Sequence, residues 1–260
     1  MRSIKSLVRR VFKQISYRME RRQDRGALPD SNLDSIQLVL AYYLTSKPVP
    51  TFIQVGACDG KSGDAAHRFI SRGIFRSILI EPIEDSFRKL ADTYKGVPNV
   101  TAIQAAIGMA DGYIELFKVK DGATSIDQVW SRQLASFDKK HLLKHGVAES
   151  EIERVSVQCL TLASLLEQNG LKHIDVLQID TEGFDAEIVT MALDLPTPPE
   201  CIYFENIHLD DLKISAVFEK LNAKGYVWTH DHWNTLAIDS RLRDRWSQTP
   251  IQEKSSKEIS

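Results

Sequence analysis

Apolar positions in this chain recur in two rhythms that alternate. Between Thr51 and Asp239, short continuous apolar runs give way to stretches in which apolar residues return every three or four positions. The first rhythm suits a strand buried on both faces; the second suits a helix with one apolar face. In order, the pattern predicts strands at 51–57, 76–81, 100–106, 174–180 and 201–205, and helices at 62–72, 83–95, 184–193 and 211–224. Two further strands close the series near 226–230 and 235–239. Such alternation predicts an α/β fold, a doubly wound and mostly parallel sheet with helices on both faces.

Three stretches depart from the alternation. "DGYIELFKV" and "RVSVQCL" predict additional strands around an irregular insert at 120–150, which is polar and partly helical in "SRQLASFDKKHLLKHG". A connection of that length suits a functional lid. Upstream, "SIKSLVRRVFKQISYRMERR" has apolar residues at helical spacing with basic residues between them, the pattern of a basic amphipathic helix. After the linker "RQDRGALPD", Asp30 or Ser31 can cap a helix running to about Lys47, which "KPVP" stops. The expected organisation is an arm at 1–26, a linker and helix at 27–50, a main domain at 51–240 and a tail at 241–260, whose end "QEKSSKEIS" is expected to be disordered.

Composition narrows the class. A chain of 260 residues can bury one substantial core, and 43% hydrophobic with 26% charged residues is ordinary for a soluble domain. No run approaches the ~20 apolar residues of a membrane span. Cys58, Cys159 and Cys201 are odd in number and form no C-x-x-C pair. That spacing argues against a disulfide framework or a zinc knuckle and predicts a cytoplasmic protein. The net charge of −2 is unevenly spread: residues 1–26 carry nine Lys or Arg against Glu20 and Asp24, so an arm at +7 precedes a body at −9. An acidic body argues against nucleic acid as a partner. The arm has three readings: packing on its own domain or on a second copy of the chain, peripheral contact with an anionic membrane, or targeting. No small-residue cleavage site follows it, which argues against a secretory signal.

The candidate chemistry begins at "FIQVGACDG". The first strand ends at Gly56, and ligands of open α/β sheets bind outside the carboxyl ends of the strands. Gly56 and Gly60 let the backbone turn sharply, although Gly56-x3-Gly60-x2-Gly63 is not the G-x-G-x-x-G of dinucleotide binders. A tight strand-to-helix connection would need the same glycines. The second element is "ILIEPIEDSF", where an apolar strand ends in Glu81 and Pro82 follows. Glu81 lies 25 residues after Gly56, near the spacing at which nucleotide folds place an acid on the ribose hydroxyls. Asp59 puts negative charge in the turn, which would repel a pyrophosphate and favour the cationic sulfonium and amine of S-adenosylmethionine.

These stretches, with "QAAIG", "IDVLQIDTEGFDAEIV", "IYFENIHL" and "GY…WNTLAI", resemble in order the FkbM-type family of S-adenosylmethionine-dependent methyltransferases across roughly residues 51–239. The resemblance implies a Rossmann-like class I methyltransferase fold with a seven-stranded sheet whose last strand is antiparallel. It also implies O-methylation of a sugar, glycan or small natural product. Gln54, Cys58 and Asn234 depart from the residues common at those positions. Expected cofactor-binding residues are Gln54, Gly56, Ala57, Asp59, Gly60, Glu81, Pro82 and Asp180, with Gln104, Ala105 and Ala106 against the adenine.

Expected catalytic residues are Asp180 and Glu182 after one strand, and Glu205 and His208 after the next. Helix capping would also explain Asp180 and Glu182, and a surface or supporting role would explain His208. Asp180, Glu205 and Asn206 also allow a divalent-metal reading of catechol O-methyltransferase type. His67, His141, His145, His173 and His230 are read as surface or core histidines without ligand spacing. Cys58 reads as a small packed side chain rather than a nucleophile. A nicotinamide-dependent oxidoreductase and a non-catalytic adenosyl-binding module are the rival readings.

Overall fold

The computed structural model describes residues 35–127 and 134–242. The basic arm, most of the linker and most of the tail lie outside the described residues. The first described helix is α1, Ser35–Ser46. It is followed by β1 (Thr51–Val55), α2 (His67–Ile70), β2 (Arg76–Ile80), α3 (Glu84–Thr93) and β3 (Val100–Ile103). The later half carries α5 (Leu162–Gln168), β8 (Val176–Ile179), α6 (Asp185–Leu193), β9 (Cys201–Glu205), α7 (Asp211–Ala223), β10 (Tyr226–His230) and β11 (Asn234–Asp239). Seven of these strands form one sheet in the order β10-β11-β9-β8-β1-β2-β3. Only β11 runs against its neighbours.

The sheet is parallel because its central strands are apolar on both faces and helices cover both. Ile53, Val55, Leu177 and Ile179 pack on one side against α5, α6 and α7 through residues such as Leu165, Val189 and Leu221. Phe52, Leu79 and Val176 pack on the other against Ile36 and Leu40 of α1, Ile70 of α2 and Leu90 of α3. Helix α1 is also tied down by polar contacts. The Tyr43 hydroxyl donates to Glu200 Oε2 at 2.8 Å, and the Lys47 ammonium donates to Asp175 and Glu200. The strand order reverses at β1, so a crevice opens beyond the ends of β1 and β8.

Two expectations are corrected. The helix expected at 62–72 is only His67–Ile70, because short acidic side chains capture the preceding amides. Asp59 accepts from the N–H groups of Lys61 and Ser62, and Asp64 from that of Ala66, which fixes turns instead of a helix. The strand expected at 100–106 divides: β3 stays in the main sheet, whereas β4 (Ala106–Ile107) pairs with β7. Strands β5 (Gly112–Val119), β6 (Ala135–Ser136) and β7 (Ile152–Leu160) complete a second sheet, ordered β4-β7-β5-β6. The short helix α4 (Lys139–Lys144) follows β6, with Asp138 accepting from the Lys140 N–H at 2.9 Å as its cap. No helix among the described residues is long and apolar enough to cross a membrane.

Candidate functional site

The bend after β1 is built from backbone that side chains resist. Gly56 has φ 82° and Cys58 φ 48°, and the Gly56 and Ala57 amides both donate to the Ile80 carbonyl at 3.0 Å. This stitches the bend to the end of β2, where Glu81 is buried. The Cys58 and Ile83 amides each donate to one Glu81 carboxylate oxygen at 2.9 Å. Burial lifts the Glu81 pKa to about 7, against the pull of those two hydrogen bonds. Each oxygen retains a further lone pair for a ligand hydroxyl.

A cavity of about 430 Å³ lies beside this carboxyl group, at the ends of β1, β2 and β8. Of the expected site residues, Gln54, Gly56, Ala57, Glu81, Pro82, Ala105, Ala106, Asp180 and Glu182 line it. Gln54 and Gln178 are register partners on β1 and β8, both buried, and the amide oxygen of each lacks a hydrogen-bond partner. Asp64 joins them in the lining, its carboxyl displaced upward chiefly by burial. Among the described lining residues there is no Lys or Arg.

Asp59, Gly60, Gln104, Glu205 and His208 are not among the lining residues. The Asp59 carboxylate caps its own loop, accepting from the Ser62 hydroxyl at 2.6 Å as well as from the two amides. Burial raises its pKa, but these hydrogen bonds outweigh burial and the net displacement is downward. Gly60 is required by packing, since a Cβ there would meet Tyr94 at 2.5 Å and Leu90 at 2.6 Å. Gln104 is exposed. The Cys58 thiol is pushed up to about 11 by burial and by the charges of Glu81 and Asp59, so it is a packed thiol rather than a thiolate nucleophile.

At the cavity rim the turn after β8 is strained as well, with Glu182 at φ 54°. Asp180 is surrounded by protein on most sides, yet its side chain is open to the cavity. Burial, then the charges of Asp185 and Glu182, displace its carboxyl upward. Glu182 Oε2 lies 2.9 Å from His141 Nε2 and 3.3 Å from His208 Nε2. Glu205 Oε2 is 3.3 Å from the same His208 nitrogen but too poorly aligned to accept a hydrogen bond. Burial first, then Asp180 and Glu182, push Glu205 up to about 9. Burial lowers the pKa of His208 despite the nearby Glu182 charge; in His145, burial and His141 act together downward.

Glu205 and His208 therefore stand behind Glu182, and the sequence reading of His141 and His145 is corrected. The fold of the insert brings both histidines to Glu182, with ring centroids 4.6 Å apart for His141–His145 and for His141–His208. The signal for them is present in "HLLKH", where two histidines four residues apart share a helical face. The oxygen-ligand set Asp180, Glu205 and Asn206 does not form. Asn206 turns to the β10–β11 end of the sheet, its side-chain oxygen accepting from the Thr235 hydroxyl at 3.0 Å and its backbone N–H donating to the Trp233 carbonyl at 2.8 Å. The described part of the insert walls the cavity as expected. Phe137 lines it and contacts Phe184 at a 4.4 Å centroid distance, and the Ser136 hydroxyl donates to the Glu182 carbonyl at 2.9 Å.

A seven-stranded sheet reversing at β1, one antiparallel strand beside its edge and an acidic cavity at the strand ends define the class I methyltransferase architecture. The methyltransferase FkbM domain matches residues 54–227, and the chain belongs to that family. No curated protein sequence matches it. Among solved structures, it is similar to the O-methyltransferase from Bacillus cereus in complex with SAH, with TM-score 0.42 and 12% identity over 90% of each chain. It is also similar to the METTL16 MTase domain, with TM-score 0.44 and 9% identity over 82% of this chain and 70% of that one. Similarities this slight carry nothing about cofactor or substrate.

Proposed function

We propose that the protein is an S-adenosylmethionine-dependent O-methyltransferase whose acceptor is a hydroxyl of a sugar, glycan or small natural product. The observation that carries the cofactor reading is the Glu81 carboxyl group, buried beside the cavity with each oxygen held by one backbone amide. A buried acid so held is an acceptor pair for vicinal ribose hydroxyls. Pro82, Ala105 and Ala106 offer an apolar surface for a base. The orphaned oxygens of Gln54 and Gln178 fit an ammonium donor, because buried acceptors without partners are costly.

The charge argument survives with different residues. Asp59 is spent on its own loop, but Asp64, Glu81, Asp180 and Glu182 line the cavity, and no Lys or Arg among the described lining residues opposes them. A cation is favoured there over a pyrophosphate. When bound, S-adenosylmethionine would supply a methyl group on a positively charged sulfur. Gln54, Gln178 and Glu81 would hold the two ends of the nucleoside amino acid, and the Phe137 wall would exclude water. Asp180, open to the cavity, would accept the hydroxyl proton. Glu205 suits that task less well, since it is not among the residues that line the cavity.

Calorimetry with S-adenosylhomocysteine and with NAD on the full chain tests the cofactor reading. Binding of the first and not the second is expected, with Glu81→Gln weakening it. Preferential binding of NAD would overturn it. A screen of labelled methyl donor against extracted glycans, lipids and small hydroxylated metabolites tests the acceptor class. Label appearing only in protein or RNA would overturn that part. A role for the basic arm in peripheral membrane contact or in pairing with a second copy, and a cytoplasmic location, remain part of the same proposal. Their motivation is the +7 charge of residues 1–26. Loss of liposome co-sedimentation on truncating residues 1–26 would support the membrane contact, and unchanged sedimentation would overturn it.

A further inference from the structure

Three imidazoles and a carboxylate converge where the insert meets the ends of β8 and β9. The ligand-capable atoms of His141, His145, Glu182 and His208 all lie within 4.8 Å of one another. The residues come from three separate places in the chain. His141 and His145 flank the last turn of α4, Glu182 sits on the strained turn after β8, and His208 follows β9. Four such side chains are not gathered from three segments by the demands of core packing, because all four are polar and only half-buried.

From this convergence we infer that His141, His145, Glu182 and His208 form a binding site for one divalent transition-metal ion of the zinc class, which pins helix α4 to the turn after β8 at the cavity rim. The donor set selects the ion. Imidazole nitrogen with one carboxylate suits zinc, cobalt or nickel, whereas magnesium and calcium take oxygen ligands. The spacing is within reach of small side-chain movements, all four ligand atoms lying within 4.8 Å of one another. Ligands bound at ~2.0–2.1 Å in a tetrahedron stand roughly 3.3 Å apart. The His141–Glu182 and His208–Glu182 separations are 2.9 and 3.3 Å. Four protein ligands close a tetrahedral shell, so the ion is structural and does not itself take substrate.

Two more carboxyl groups stand beside the cluster. Glu205 Oε2, 3.3 Å from His208 Nε2, has no hydrogen-bond partner, and Asp180 adds a further carboxyl group on the cavity side. The Ser136–Glu182 hydrogen bond already holds the insert on the β8 turn without any ion. The metal would therefore tighten a closure the fold makes rather than create it. The metal site stands on these side chains alone; only its consequence for transfer rests on the methyl-donor reading.

The test is titration of the tag-free, chelator-treated full chain with zinc and with cobalt(II), followed by calorimetry and by the visible absorption of cobalt. One equivalent of each ion should bind, and cobalt should give the intense absorption of four-coordinate geometry. His145→Ala should weaken binding at least ~10-fold, given that even outer partners of metal ligands cost 10–100-fold. His208→Gln provides a second variant should His145→Ala lose its fold by circular dichroism. Absence of stoichiometric binding, or binding unchanged in a folded variant, overturns the site. S-adenosylhomocysteine affinity is measured in parallel on the metal-free protein. Since Glu81, Gln54 and Gln178 are not among the metal ligands, that affinity should persist without metal. Its loss at all metal levels would sink the cofactor reading and leave the metal result intact.

Discussion

Gly56 and Asp180 meet backbone to backbone at the ends of β1 and β8. A Cβ on Gly56 would lie 1.7 Å from the Asp180 carbonyl oxygen, and the Asp180 amide donates to the Val55 carbonyl at 2.9 Å. The glycine that opens the cavity is thus imposed by a neighbouring strand, which also delivers the residue proposed to accept the proton. The β1 bend and the turn after β8 are one mechanical unit.

Gly56→Ala should therefore destabilise well beyond the ~1–3 kcal/mol of a strained left-handed residue, because two strand ends must separate as well. Gly63 is the control. It has φ 74° but nothing within 4 Å of an added Cβ, so Gly63→Ala carries the backbone term alone. Urea denaturation of both variants checks this. Equal losses would mean that the close approach of β1 and β8 does not constrain the bend.

Glu81 makes stability depend on pH in a definite direction. Its carboxyl titrates near 4.5 when exposed and near 7 in the fold, so the folded state holds the extra proton between those values. Stability is then unpenalised below about pH 4.5, falls as pH rises to about 7 and stays lower above it. The full displacement corresponds to about 3 kcal/mol. Glu81→Gln removes this slope. It also points an amide N–H₂ at one of two backbone donors, at a roughly pH-independent cost of ~1–3 kcal/mol. The stability difference between wild type and variant should accordingly shrink, or invert, as pH rises through this window in denaturation series. A constant difference would show that Glu81 is charged throughout.

Binding of a cationic donor should release protons. Asp180 is held above the usual carboxylate range by burial and by neighbouring acids, so near neutral pH a fraction of it is protonated. Positive charge on sulfur favours the carboxylate and lowers that pKa. Calorimetry in two buffers of different ionisation enthalpy should show more proton release for S-adenosylmethionine than for its uncharged-sulfur product. Asp180→Asn should abolish the difference and, with an acceptor in hand, slow transfer by ~10²–10⁴-fold. Equal proton counts for the two ligands in the wild type would remove Asp180 from the cation's surroundings.

What the sequence revealed of this site follows from how local each determinant is. Strands β1, β2 and β8 are largely apolar on both faces and are followed at once by Gly56, Glu81 and Asp180, so both the sheet and its cavity-facing ends were legible. The helix expected at 62–72 failed because Asp59 and Asp64 could cap either a helix or turns, and side-chain orientation decides between them. The same ambiguity hid that Asp59 faces its own loop. His141 and His145 share a helical face by spacing, but their meeting with His208 depends on the insert folding back over β8. That contact spans tens of residues and leaves no periodic trace.

Glu205 supplies the sharpest contrast with Asp180. Both are strand-end acids displaced upward, but Glu205 is not among the cavity-lining residues and is pushed to about 9, foremost by burial. Its raised pKa favours the neutral form, whose size and lack of charge Gln reproduces. Glu205→Gln should then leave transfer far closer to wild type than the ~10²-fold loss that removing a general base entails. Glu205→Asp, which keeps the titratable group but withdraws it by one methylene, should change transfer no more than the Gln variant does. Rates measured above about pH 9 supply the remaining arm, since only there does wild-type Glu205 ionise and place a third negative charge beside Asp180 and Glu182. Wild type and Glu205→Gln should diverge in that range and coincide below it. If they already diverge by two orders of magnitude at neutral pH, the proton acceptor is Glu205, and Asp180 serves the cofactor instead.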